Sequence, residues 1–172
     1  RQLLTLLAVL LPGTALAAPA ELYIGDTQVT DGYSAAGVSY TGGVLTLNGA
    51  SLSAYRTGEN ALLFSAGGDL TIRLIGTNTI TGSNAVAQGY GIKVIDGSLT
   101  FTGPGSLTVS MPGVENYGVA VYGTGGSFHM AGGGSVTVSV TGDPTLADPA
   151  DPYSMVGSIG IDVQQSVRMQ SG

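Results

Sequence analysis

Apolar and polar residues alternate with a period of two in short runs along this chain, and glycine punctuates the runs. In Leu70-Thr71-Ile72-Arg73-Leu74 the apolar residues fall on one side of an extended strand, Thr71 and Arg73 on the other. Leu99-Thr100-Phe101-Thr102 and Phe128-His129-Met130 copy the pattern, each preceded by Gly and one short polar residue. Weaker copies lie at Val44-Leu45-Thr46-Leu47 and Ser166-Val167-Arg168-Met169. The aligned positions Leu45, Leu70, Leu99, Phe128 and Val167 are 25, 29, 29 and 39 residues apart. Internal periods of about 20–50 residues mark solenoids, propellers and arrays.

Each copy is followed by a second predicted strand: Asn78-Thr79-Ile80-Thr81, Ser106-Leu107-Thr108-Val109 and Ser135-Val136-Thr137-Val138. A third strand completes the unit, at Leu62-Leu63-Phe64, Gly91-Ile92-Lys93-Val94, Gly118-Val119-Ala120-Val121 and Gly160-Ile161-Asp162-Val163. Nothing between Ala20 and Gly172 reads as a helix. Three strands per unit, each with one apolar face, predict an all-β fold, a single-stranded parallel right-handed β-helix of about four to five coils. Successive coils then stack about 4.8 Å apart and each strand pairs with its copy. A β-propeller would need four-stranded blades at about 40 residues, and an antiparallel sandwich would not require the copies to align. The predicted outward column of the repeated strand is Thr46, Thr71, Thr100, His129 and Arg168, with Arg73 two residues on from Thr71. That of the third strand includes Leu63, Lys93, Ala120 and Asp162. Residues 21–40 are less regular and are expected to begin the first coil and cap its open end.

The first stretch stands apart from the repeats. Leu3 to Leu11 is an apolar run broken only by Thr5, followed by Pro12-Gly13 and Ala15-Leu16-Ala17. An apolar core followed by A-x-A is the order of a secretory signal peptide, too short to span a bilayer. The expectation is a signal over residues 1–17 and an exported β-helix domain over 18–172, without membrane insertion after cleavage. Ending at Gly172, partway through a repeat and without a polar cap, the sequence leads us to expect a natural chain that continues.

Composition narrows the function classes. There is no Cys, so disulfides and thiolate metal sites are excluded. A net charge of −6 without a basic cluster argues against nucleic acid and anionic membranes as partners. The 29 Gly follow no three-residue period and mark turns.

The run Leu22-Tyr23-Ile24-Gly25-Asp26-Thr27-Gln28-Val29-Thr30-Asp31-Gly32, the segment LTLNGA at 45–50 and DLTIRLIGTNTITG at 69–82 together resemble a family. It is that of secreted β-helical carbohydrate-binding domain proteins of anaerobic Gram-positive bacteria. The resemblance covers roughly residues 21–140 and rests on Gly/Thr/Leu repeats that many β-helices share. It implies an extracellular or wall-associated protein that binds polysaccharide, and it supplies no catalytic residue.

Candidate chemistry is sparse. His129 is the only His, and its column neighbours Thr100 and Arg168 are poor metal ligands. No G-x-S-x-G elbow is present. A polysaccharide lyase would need a basic residue near a uronate carboxylate and Ca²⁺ held by acids. The inventory for it is Arg73, Lys93, Asp69 and Asp96, the two acids beside Gly68 and Gly97 as ordinary turn formers. The insertion 142–153 carries Asp143, Asp148 and Asp151, the candidate Ca²⁺ ligands; no other cofactor is implied, and the spacing matches no EF-hand. Gly89-Tyr90-Gly91-Ile92 and Asn116-Tyr117-Gly118-Val119 put Tyr at the same place in adjacent units. A phenol offers an apolar face and a hydroxyl, which suits a sugar ring, and equally suits a structural stack.

The sequence thus favours a non-catalytic, extracellular carbohydrate-binding module. Tyr90 and Tyr117 would stack on polysaccharide or cell-wall glycan, with Asn116, Lys93 and Arg73 as polar partners. A pectate-lyase-like polysaccharide lyase or hydrolase, and a structural adhesin or spacer, are the alternatives.

Overall fold

The computed structural model describes residues 17–83, 85–86, 88–113, 115–141 and 158–170. The expected signal peptide, Ala17 apart, and the insertion with Asp143, Asp148 and Asp151 lie outside them.

The N-terminal strands β1 (Glu21–Ile24), β2 (Thr27–Gln28), β3 (Tyr33–Ala35) and β4 (Val38–Thr41) precede the winding, which begins with β5 (Val44–Asn48) and β6 (Ser51–Leu52). Three complete turns follow: β7 (Ala61–Ala66), β8 (Leu70–Ile75) and β9 (Thr77–Thr81); β10 (Tyr90–Ile95), β11 (Leu99–Thr102) and β12 (Ser106–Pro112); β13 (Tyr117–Tyr122), β14 (Ser127–Ala131) and β15 (Ser135–Thr141). β16 (Ile159–Val163) and β17 (Ser166–Gln170) add part of another. The described residues hold no helix. Equivalent strands pair in parallel, so the chain is a parallel β-solenoid of about three turns with three sheets. Sheet I runs β16-β13-β10-β7-β1-β2, sheet II β17-β14-β11-β8-β5-β4-β3, and sheet III β15-β12-β9-β6.

The alternation of the sequence becomes the core. Leu70, Leu99 and Phe128 stack in register along sheet II, beside Ile72, Phe101 and Met130. Leu63, Ile92 and Val119 face them from sheet I, and Ile80 and Val109 from sheet III. Nearly all are fully buried, and each such side chain contributes about 1.5–3 kcal/mol of apolar burial. Ser65 also points inward, opposite Val94, and its hydroxyl finds no partner among the described residues. Ser65→Ala is therefore expected to raise stability by about 1 kcal/mol in urea unfolding; a loss of stability would show that the hydroxyl is bonded.

Residues 21–41 do not begin a coil. β1 lies antiparallel on β7, and β3, β4 and β5 form an antiparallel meander, so this segment closes the edge it was expected to cap. The hairpin joining β4 to β5 turns through Gly42 and Gly43, both at positive φ (57° and 81°), with the Gly42 N–H donating to Asp31 Oδ1 at 2.7 Å. That turn sets where β5 starts and corrects the predicted register. Leu45 pairs with Ile72 and Thr46 with Arg73, a slip of two residues that keeps each side chain on its face. On sheet I, Leu63 lies inward opposite Ile92, and Phe64 takes the place beside Lys93 that was expected for Leu63.

Candidate functional site

The connections between sheets differ by corner. Those from sheet I to sheet II are residues 67–69, 96–98, 123–126 and 164–165, and those from II to III are 49–50, 76, 103–105 and 132–134. From III back to I the chain spends 53–60, 82–89, 113–116 and 142–158. The long insertions thus leave from one corner, where solenoids commonly carry their binding residues.

Tyr90 and Tyr117 begin β10 and β13 at that corner and are register partners. Behind them sit Gly91 and Gly118. A side chain at Gly91 would strike the Gly118 carbonyl oxygen and the buried Val109, and one at Gly118 would overlap Val138. Only glycine lets sheet I approach sheet III this closely, and that approach turns the tyrosines outward. The rings stack on each other, centroids 4.8 Å apart and planes 15° apart. Lys93 Nζ lies 4.7 Å from the Tyr90 centroid and donates to Glu59 Oε2 at 2.9 Å. The far register partner of Tyr117 is Ile159. The two rings thus each cover one face of the other.

Of two further expected residues, one is buried within this corner and one lies on another face. Asn116 is 0% exposed. Its Oδ1 accepts from the Gly89 N–H at 2.7 Å and its Nδ2 donates to the Pro112 carbonyl at 2.6 Å, so the buried amide is turned onto the backbone of the corner. Arg73 is exposed on sheet II between Thr46 and Thr102, on a different face from the tyrosines. His129 sits between Thr100 and Arg168, as its column predicts. Asp69 Oδ1 accepts from the Ser98 N–H (2.7 Å) and hydroxyl (2.6 Å), and Asp96 Oδ1 from the Thr124 N–H (3.0 Å). These acids tie each corner to the next turn. Arg73, Lys93, Asp69 and Asp96 do not converge on one site.

Sequence reasoning missed four members of the cluster, Glu59, Gln88, Glu115 and Tyr122. Tyr122 donates to Asp162 Oδ2 at 3.0 Å, and Gln88 Nε2 donates to Glu115 Oε2 at 3.1 Å beside Tyr117. Asp162 was visible as a column member two turns from Lys93, but the reach of the Tyr122 phenol to it was not. Toward the cap, the Arg56 guanidinium lies 3.7 Å from the Tyr23 centroid and 4.3 Å from that of Phe64, with Glu21 at 3.5 Å.

The carboxylates and burial act together on the phenols. Burial, then the charges of Asp162 and Glu59, push Tyr90 above its usual pKa. Tyr117 is raised by burial, then by Tyr90, Asp162 and Glu115. Tyr122 is raised furthest, by burial and by its hydrogen bond to Asp162. A raised folded-state pKa means the folded protein holds its proton longer than the unfolded chain. The stability these groups add is complete below pH 10 and is lost as pH rises through the folded values. Ultraviolet titration of tyrosinate, unobstructed because the chain has no Trp, should show a late-ionising class of phenols that normalises on unfolding. A single class near pH 10 would contradict the cluster.

Among the described residues no three His, Asp or Glu side chains gather as a metal site. Compared with family models, curated proteins and solved structures, the chain matches none of them.

Proposed function

We propose that the chain is a non-catalytic carbohydrate-binding module of an exported, extracellular or wall-associated protein, and that polysaccharide lies over the Tyr90–Tyr117 corner and along the outer face of sheet I toward Tyr122. The observation that carries this reading is the coincidence of the stacked Tyr90–Tyr117 pair with the one corner from which the long insertions leave. Phenol hydroxyls, the Lys93–Glu59 pair and Asp162 supply hydrogen-bonding groups at separations set by strand spacing, and ring edges supply apolar contact. Export is supported by the apolar run 3–11 followed by Ala15-Leu16-Ala17. The winding is taken as right-handed because parallel strands joined by crossovers are so in nearly all sheets. We count four to five coils by adding the incomplete turns β5–β6 and β16–β17 to the three complete ones.

Retention on immobilised polysaccharide tests the site. Tyr90→Ala with Tyr117→Ala is expected to weaken retention about tenfold, roughly 1.4 kcal/mol, while circular dichroism stays that of a folded β protein. Arg73→Ala, on sheet II, should leave retention unchanged. Equal retention by the folded double variant would rule out this corner.

A further inference from the structure

The repeat supplies its own comparison between turns. In the second turn Tyr90 has an ammonium over its ring, from Lys93, and that ammonium is matched by Glu59 of the preceding connection. One turn on, Tyr117 repeats Tyr90, but Ala120 stands in register where Lys93 stands. The carboxylates, by contrast, continue. Glu115 precedes Tyr117 by two residues, as Glu59 precedes Ala61, the partner of Tyr90, and Asp162 stands next to Ala120 in the following turn. Around the phenols three carboxylates, Glu59, Glu115 and Asp162, thus face one ammonium; Glu59 holds it, while Glu115 and Asp162 have only neutral donors, the Gln88 amide and the Tyr122 hydroxyl. The other placed cations are remote from Tyr117: Arg56 is held by Tyr23, Phe64 and Glu21 at the cap, and Arg73 and Arg168 are on sheet II. Sheet I already accepts cations over aromatic rings at two places, so an ammonium beside Tyr117 suits the chemistry of the face.

Building on the carbohydrate-binding reading, we propose that the tyrosine corner selects glycans bearing free amino groups, hexosamine units whose ammonium takes beside Tyr117 the part that Lys93 plays beside Tyr90. Uronate-bearing glycans are rejected, because their carboxylates would meet Asp162 and Glu115 without a free cation to pair with. Burial is the chief cause of the raised phenol pKa values, and the charge of Asp162 adds to it at all three.

The test compares three soluble polymers by titration calorimetry: a glucosamine polymer, its N-acetylated counterpart and a polygalacturonate. The glucosamine polymer is expected to bind about tenfold more tightly than the acetylated one, with the difference shrinking as salt is raised, and the polygalacturonate not to bind. Ala120→Lys, which places a chain ammonium where Lys93 has one, and Asp162→Asn should each erase the preference for the amino polymer. The two variants perturb packing differently, so a folding defect in one leaves the other informative. Equal binding of the amino and acetylated polymers would overturn the selection while leaving the carbohydrate reading intact. Tightest binding of polygalacturonate would also overturn it. Binding of none of the three would overturn the carbohydrate reading, and the selection with it.

Discussion

Replacing Phe101 by alanine is expected to destabilise the protein by about 3–5 kcal/mol, much of the ~5–15 kcal/mol that holds a typical domain. Phe101 is 1% exposed in the middle turn, in register between Ile72 and Met130, and its ring meets Phe128 at 5.6 Å and 53°. Truncation leaves a cavity bounded by neighbours that are themselves tied into β8 and β14, so the site collapses poorly. A solenoid is coupled only between neighbouring turns, so a defect in the middle loosens both halves from each other. Urea unfolding should show a lower midpoint and a broader transition. Met169→Ala, at a side chain 71% exposed on the last strand, is the control and should change almost nothing. A loss below about 1 kcal/mol for Phe101→Ala would mean that the inward ladder of sheet II is misassigned.

Asn78→Leu is expected to cost about 2–4 kcal/mol even though it adds apolar volume to the interior. The next residue in its column is Leu107, fully inside the core, so reasoning from the repeat alone would favour leucine at 78. Asn78 instead binds three strands together. Its Oδ1 accepts from the Ala50 N–H at 2.9 Å, and its Nδ2 donates to the Ile75 carbonyl at 3.1 Å and the Ser106 carbonyl at 3.0 Å. Leucine leaves all three backbone groups buried without partners, and each such group costs about 1–3 kcal/mol. The same urea experiment decides the matter: a variant as stable as the parent, or more so, would show that these bonds contribute nothing net.

Asn78 also shows where the sequence ceases to be readable. Period-two alternation was enough to place most strands, their inward residues and their parallel stacking, because burial acts on every second side chain. It was blind to a slip of two residues, which preserves that alternation; hence Thr46 was set beside Thr71 and lies beside Arg73. Strand direction was equally hidden in residues 21–41, where the same composition serves an antiparallel cap. Asparagine reads as a turn former or a ligand donor, yet Asn78 and Asn116 are buried staples between turns. Of the candidate site, the pairing of Tyr90 with Tyr117 and the nearness of Lys93 were legible from spacing. The Tyr122–Asp162 bond and the Glu59 partner of Lys93 were not, because the first depends on how far a phenol leans along its sheet and the second on the path of a connection.

The central claim is that ligand recognition is confined to the corner joining sheet III to sheet I and the outer face of sheet I beside it. Chemical-shift mapping by nuclear magnetic resonance, with a glucosamine oligosaccharide added to the full chain, tests it most directly. The account predicts shifts concentrated in residues 88–93, 115–122 and 158–162, with β8, β11 and β14 and all of sheet III unmoved. Shifts centred on the Thr71–Thr100–His129 column or on the threonine rows of sheet III, or no saturable shift at all, would contradict it.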